Sequence, residues 1–170
     1  LAKHSIKATF FCIGDNVKKH PEVFKQIVDQ GHTVGNHTFN HLKGWKTSLE
    51  KYKDNVKQCD EALQTSNLQP RTSNLEPRTL NLFRPPYGRI TRAQINALSD
   101  YKIVMWDVLT NDYDRLKSPE TCLKNSIRVT RSGSIIVFHD SIKAERNMSY
   151  ALPRYIDHFI NQGYSFNSLS

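Results

Sequence analysis

The sequence predicts an α/β fold on a parallel sheet, open or closed into a barrel, and three observations carry that expectation. Strand-like segments alternate with amphipathic, helix-like segments along the whole chain. The strand-like segments are short apolar runs bounded by Gly, Pro, Asn or Asp, as suits strands buried in a sheet. A chain of 170 residues, 38% hydrophobic and 24% charged, has the material for one core. Folds of this kind place their ligands at the carboxyl ends of the strands.

Segment 7–14, rich in β-branched and aromatic residues and closed by Gly14, is the first predicted strand. A helix follows: Pro21 suits its first turn, Val23, Phe24, Ile27 and Val28 form an apolar stripe, and Gly31 sits where a terminal glycine belongs. Residues 32–36 make a second short strand. Thr47 with Glu50 is a capping box, and Leu49, Tyr52, Val56, Cys59 and Leu63 recur behind it at helical spacing, predicting a helix to about Gln64. Segment 82–84 leads into a Pro-Pro turn, Thr91 with Gln94 caps another helix, and residues 102–106 form a third strand. Ser118-Pro119 opens the next helix. Beyond the Ser132-Gly133 turn come an apolar strand at 134–139, a helix at 152–162 closed by Gly163, and a last strand at 164–169.

One segment breaks the alternation. Thr65-Ser66-Asn67-Leu68-Gln69-Pro70-Arg71 is repeated as Thr72-Ser73-Asn74-Leu75-Glu76-Pro77-Arg78, and a third copy begins at Thr79. The proline in each complete copy forbids a continuous helix, so the stretch at about 65–81 reads as a surface-loop insertion in a single domain spanning 1–170.

The net charge of +8 would draw the protein toward nucleic acid, anionic envelope polymers or membrane surfaces, or reflect solvated helix faces. No finger, RNP or helix-turn-helix signature accompanies it, so nucleic acid is not an expected partner. No apolar run approaches the roughly 20 residues of a membrane span. Cys12, Cys59 and Cys122 match neither a zinc knuckle nor a disulfide framework.

Chemistry-bearing residues fall at the ends of predicted strands. His37-Thr38-Phe39-Asn40-His41 places two imidazoles four apart, which on a helical turn would share a face and grip a metal ion. Thr38 stands where a metalloprotease helix has its general-base Glu, which argues against a peptidase. Arg84-Pro85-Pro86-Tyr87-Gly88 offers a cation on a stiff turn. Trp106-Asp107 and Asn111-Asp112-Tyr113 add carboxylates and aromatic rings, and the apolar run at 135–138 ends in His139.

In this order the motifs resemble those of the polysaccharide deacetylases with a NodB homology domain, carbohydrate esterase family 4. Ala8-Thr9-Phe10-Phe11 through Gly14 is similar to that family's strand after its first helix, and His37-Thr38-Phe39-Asn40-His41 to its metal-binding H-[ST]-x-x-H. Arg84-Pro85-Pro86-Tyr87-Gly88 is similar to its third motif, Asp112-Tyr113 to the end of its fourth, and 135–139 to its fifth. The resemblance implies a distorted (β/α) barrel and a metal-dependent removal of N- or O-acetyl groups from peptidoglycan, chitin-like or xylan-like polymers.

By the same resemblance, His37 and His41 would hold a divalent ion, zinc first, though such donors also suit cobalt, nickel and iron. His139 would be the general acid, oriented by Asp112; Arg84 would position the base; the Tyr87 backbone N–H would face the oxyanion. Tyr113, Val137 and Trp106 would line the pocket for the acetyl methyl group. The family's Thr-Phe-Asp-Asp-Gly motif, source of the base and the third metal ligand, is absent, and no Asp-Asp pair occurs in the chain. The expectation is therefore a deacetylase domain lacking its first strand-helix unit, with impaired turnover, to whose metal Asp107 or Asp140 could lend an oxygen. The alternative is a catalytically inactive glycan-binding homologue. A sugar-polymer substrate favours the cell envelope or the exterior, if an export signal precedes Leu1. The whole assignment requires His37, His41, Arg84 and His139 to meet in one cleft.

Overall fold

Four parallel strands in sequential order form the larger sheet of a computed structural model that describes residues 1–67 and 79–169. The chain divides into two compact units, one formed by Leu1–Met105 with the tail from Phe166, the other by Trp106–Ser165. In the first, the strands are β1 (Thr9–Cys12), β2 (Thr33–Asn36), β3 (Thr79–Phe83) and β4 (Lys102–Ile103). Their helices are α1 (Gly14–Lys19), α2 (Pro21–Asp29), α3 (Leu49–Asn67) and α4 (Arg92–Ala97). The second unit holds β5 (Val108–Leu109), α5 (Pro119–Val129), β6 (Ile136–Val137) and α6 (Glu145–Ile160), with β5 and β6 paired in parallel.

The apolar stripe of α3 organises the first unit. Cys59 and Leu63 join Val17, Phe24 and Val34 in one cluster, while Tyr52 and Val56 join Phe83 and Leu98 in another. These four positions of α3 follow the helical repeat, so one face of a single helix serves both clusters. Close approach of α1 to α3 requires glycine at its start: a Cβ on Gly14 would lie 2.6 Å from the Phe39 ring and 2.9 Å from Cys59 Cα. Burial among these groups pushes the Cys59 thiol up to about 12, as an inert core cysteine.

Several boundaries differ from the sequence reading. Helix α6 is longer than the expected 152–162: it begins at Glu145, ends at Ile160 and contains Pro153. Residues 164–169 are not a strand. Their chain is tied by side chains instead, Leu169 N–H donating to Thr9 Oγ1 and Thr33 Oγ1 to the Leu169 carbonyl. Strand pairing at 102–106 and 134–139 is confined to two residues each. Thr47 does not cap α3; its hydroxyl donates to the Lys43 carbonyl, and the helix opens after Ser48. Of the proposed insertion at 65–81, the ends belong to α3 and β3, and residues 68–78 lie outside the described residues. The Thr91–Gln94 capping box and the Ser118 cap are present as predicted. Among the described residues no helix is long and apolar enough to cross a membrane.

His32 links the fold to pH. Its Nδ1 accepts the Ala8 N–H at 3.2 Å, a bond only the unprotonated nitrogen can make. Burial, then the Lys7 charge, hold its pKa below the usual 6.5. The folded state thus binds this proton less readily than the unfolded chain, so stability is full above pH 6.5 and declines as pH falls through the unfolded and then the folded value. Melting temperatures measured from pH 8 to 5 are expected to fall on the acid side, and His32→Gln to flatten that fall.

Candidate active site

The two histidines of the 37–41 segment meet, but not on a helix. The segment leaves β2 as an irregular loop, with Thr38 at φ 64° and His41 at φ 54°. Left-handed backbone at non-glycine residues persists only where the surroundings enforce it. Asn36 does so from below: its Oδ1 accepts the Thr38 N–H at 2.8 Å, and its Nδ2 donates to the Val56 carbonyl and to Asp60 Oδ1, each at 2.8 Å. Asn55 of α3 does so from the side, its Oδ1 accepting the N–H groups of Phe39 at 2.9 Å and Asn40 at 3.1 Å. Thr38 Oγ1 accepts the Leu42 N–H. The result sets the His37 and His41 rings 5.0 Å apart, edge to face.

His37 is oriented by a second contact. Its Nδ1 lies 2.6 Å from the Arg84 carbonyl oxygen, which can only accept, so the ring donates there and its lone pair is on Nε2. That is the tautomer a metal-ligating histidine adopts, with a carbonyl behind it. The donor set suits one divalent ion as two of its ligands. Among the described residues no group of three or more His, Cys, Asp or Glu is placed to hold one, so the third ligand is not found there.

Arg84 itself is buried, 8% exposed. Nε donates to the Val104 carbonyl at 3.1 Å, a terminal nitrogen to Met105 at 3.2 Å, and the guanidinium lies 4.1 Å from the centre of the Phe11 ring. Desolvation lowers its pKa to about 10, which leaves it charged at neutral pH. Tyr87, at φ 60° on the turn that follows, is half exposed and its ring is 4.6 Å from that of His41.

The second unit brings together its own set. Asp112 is fully buried, and its two oxygens accept the His139 backbone N–H and the ring Nδ1–H, each at 2.7 Å. The first bond anchors the backbone and the second orients the imidazole, committing Nδ1 to Asp112. Tyr113 meets the His139 ring edge to face at 4.9 Å, and Val137 is buried in β6. Trp106 is partly buried at the start of the unit. Asp107 is committed locally: its carboxylate accepts the Ser134 hydroxyl and the Ile135 N–H, and the hydroxyl above all holds its pKa below the usual carboxylate range.

The supporting residues escaped the sequence reading. Asn36, Asn55 and Asp60 brace the histidine loop, and Asn147 of α6 donates to the carbonyls of Asp112 and Asp114 at 3.0 and 3.1 Å. A polar residue inside or beside an otherwise apolar buried stripe, as Asn55 is beside Val56, was the one available signal.

The chain belongs to the polysaccharide deacetylase family, whose model matches residues 1–106, the stretch carrying His37, His41, Arg84 and Tyr87. It is similar to a peptidoglycan-N-acetylglucosamine deacetylase of Bacillus cereus, with 31% identity over 144 residues, 83% of this chain and 48% of the relative. The chain therefore spans about half the length of that relative. Among solved structures, the Bc1960 peptidoglycan N-acetylglucosamine deacetylase superposes with a TM-score of 0.86 at 29% identity, over 99% of this chain and 76% of that one. The CE4 family pseudoenzyme BA3943 of Bacillus anthracis does so with a TM-score of 0.83 at 27% identity, over 99% and 56%. The α/β fold expected from the motifs is thus the fold these relatives share.

Two substitutions test the supports. Asn55→Ala removes the acceptor for two loop N–H groups and is expected to lower stability by about 1–3 kcal/mol in urea titrations. Asp112→Asn replaces one acceptor oxygen by a donor facing His139; a loss of about 1–3 kcal/mol is expected, with the His139 ring Nδ1 15N shift changed by loss of its carboxylate acceptor.

Proposed function

We propose that the chain is the body of a metal-dependent hydrolase that removes N- or O-acetyl groups from a polysaccharide of the peptidoglycan, chitin-like or xylan-like kind. The observation that carries this reading is the His37–His41 pair, 5.0 Å apart at the end of β2 with His37 held in a ligating tautomer by the Arg84 carbonyl. Zinc or a similar divalent ion held by these imidazoles would supply Lewis acidity toward the acetyl carbonyl and toward water. His139 acts as general acid, delivering the Nε2 proton to the departing amine or alcohol, while Asp112 keeps Nδ1 occupied and steadies the cation. The Tyr87 N–H, on a turn already fixed at positive φ, faces the developing oxyanion. Arg84 would position the catalytic base once a carboxylate is supplied, and Tyr113, Val137 and Trp106 would give the acetyl methyl an apolar surface.

A hydrolase of this design needs a carboxylate base, and the 170 residues contain no Asp-Asp pair. This chain by itself is accordingly expected to bind the ion weakly and turn over slowly. The same observation, with a pseudoenzyme among the structures it resembles, favours a second reading as a catalytically inactive glycan-binding homologue.

The test is acetate release, with zinc, from acetylated peptidoglycan fragments, chitin oligosaccharides and acetylated xylan. It compares the chain with a version bearing a Thr-Phe-Asp-Asp-Gly strand fused ahead of Leu1. The fused form is expected to release acetate, and His139→Ala within it to lower the rate about 10²–10⁴-fold. If the fused form releases none from any substrate and His139→Ala changes nothing, the enzymatic reading fails. Glycan affinity that survives a chelator would then establish the second reading.

A further inference from the structure

Beside the histidine pair the first unit presents an aromatic surface that the chemistry above does not use. Trp45 is 37% and Tyr87 50% exposed, their rings meet edge to face at 5.4 Å, and Tyr87 reaches the His41 ring at 4.6 Å. Single exposed aromatics are common, but two that pack on each other and on a site residue form a continuous surface. Its supports are specific. Trp45 stands on the turn Gly44–Lys46, whose first carbonyl accepts the buried Gln94 amide at 2.9 Å. The other end of that amide accepts the Thr91 N–H in the α4 capping box. Gly44 packs so tightly that a Cβ there would lie 3.0 Å from the Tyr52 ring and 3.1 Å from Gln94. Tyr87 is held at φ 60°, a conformation an aromatic residue rarely adopts. The surface is thus built into the core rather than draped over it.

Two cations border it. The Arg89 guanidinium lies 5.0 Å from the Trp45 ring centre, and Lys43 Nζ 6.0 Å from that of Tyr87. Rigid aromatic surface suits the C–H face of a pyranose ring, and a guanidinium at its border suits a carboxylate, which it binds with two parallel donors. We propose that Trp45, Tyr87, Lys43 and Arg89 form a subsite for a carboxylate-bearing sugar of the glycan, next to the His37–His41 pair. This rests on the reading of the chain as a glycan-handling protein and narrows it: an anionic, cell-wall type of polymer is preferred over neutral chitin.

Two tetrasaccharide probes decide it, both titrated calorimetrically into the 170-residue chain in the presence of a chelator. One is neutral β-1,4-linked N-acetylglucosamine; in the other every second sugar bears a lactyl carboxylate. The carboxylated probe is expected to bind about tenfold tighter at low salt, a preference that shrinks as salt screens it. Trp45→Ala is expected to weaken both probes about tenfold, and Trp45→Phe, which keeps a ring, to recover most of the loss. The pair Lys43→Gln with Arg89→Gln is expected to reduce the preference below about threefold. Equal affinity of the two probes, wild-type binding by Trp45→Ala, or a preference that survives the double substitution would each overturn the subsite. Should Trp45→Ala fail to fold, the double substitution decides. Acetate release by the fused form together with equal probe affinities would sink the subsite and leave the deacetylase reading. Trp45-dependent, carboxylate-selective binding without acetate release would support the subsite and sink the deacetylase.

Discussion

The first unit depends on what is done with one buried guanidinium. Arg84 sits at the end of β3, where its head must be desolvated if the sheet is to stay covered, and burial of an unsatisfied charge would be prohibitive. Two carbonyls just beyond β4 and the face of Phe11 in β1 meet it, so one side chain ties the ends of strands that are distant in sequence. Its own backbone carries the connection onward. The Arg84 N–H donates to the Asn36 carbonyl at 3.0 Å and its carbonyl accepts from His37. The same residue therefore secures the ends of the strands and sets the tautomer of a candidate ligand.

Around it, irregular backbone is concentrated where chemistry is expected. Thr38, His41 and Tyr87 in the first unit and Asn111 in the second all lie in the left-handed region. Each such residue costs on the order of 1–3 kcal/mol, so rigid partners must hold it there. Asn36 and Asn55 do so for the histidine loop, and the Pro85–Pro86 step limits the turn before Tyr87. The strained five-residue loop is the means by which two imidazole rings come within 5.0 Å of each other without a helix.

The polysaccharide deacetylase family model matches residues 1–106, the stretch that carries the histidine loop and its braces. Family structures include both named deacetylases and a pseudoenzyme, so the fold and the supports can persist whether or not turnover does. The first unit of this chain holds the paired imidazoles and the Trp45–Tyr87 rings, the second unit the hydrogen-bonded His139–Asp112 pair, and the 170 residues contain no Asp-Asp pair.

Much of this was legible in the sequence. Hydrophobic spacing identified α3, with Tyr52, Val56, Cys59 and Leu63 on one face, because a helix's period follows from its own geometry. The caps at Thr91 and Ser118 were equally local, and the motif order around His37, Arg84, Asp112 and His139 pointed to the family. The extent of the strands was not legible: pairing depends on a neighbour far away in the chain, which is why 134–139 shortened to two paired residues and 164–169 was not a strand at all. The helix expected at 152–162 instead begins at Glu145 and carries Pro153 inside it, a start not marked by any local signal the sequence reading used. The sequence by itself indicated the candidate chemistry-bearing residues and most of the helices, though not α1 at Gly14–Lys19 or the start of α6, since side-chain identity and near neighbours carry that much and no more. Only the tertiary structure decided that His37 and His41 meet through a left-handed loop braced by Asn36 and Asn55. Positive φ at non-glycine residues is unfavourable locally and exists only when distant groups enforce it.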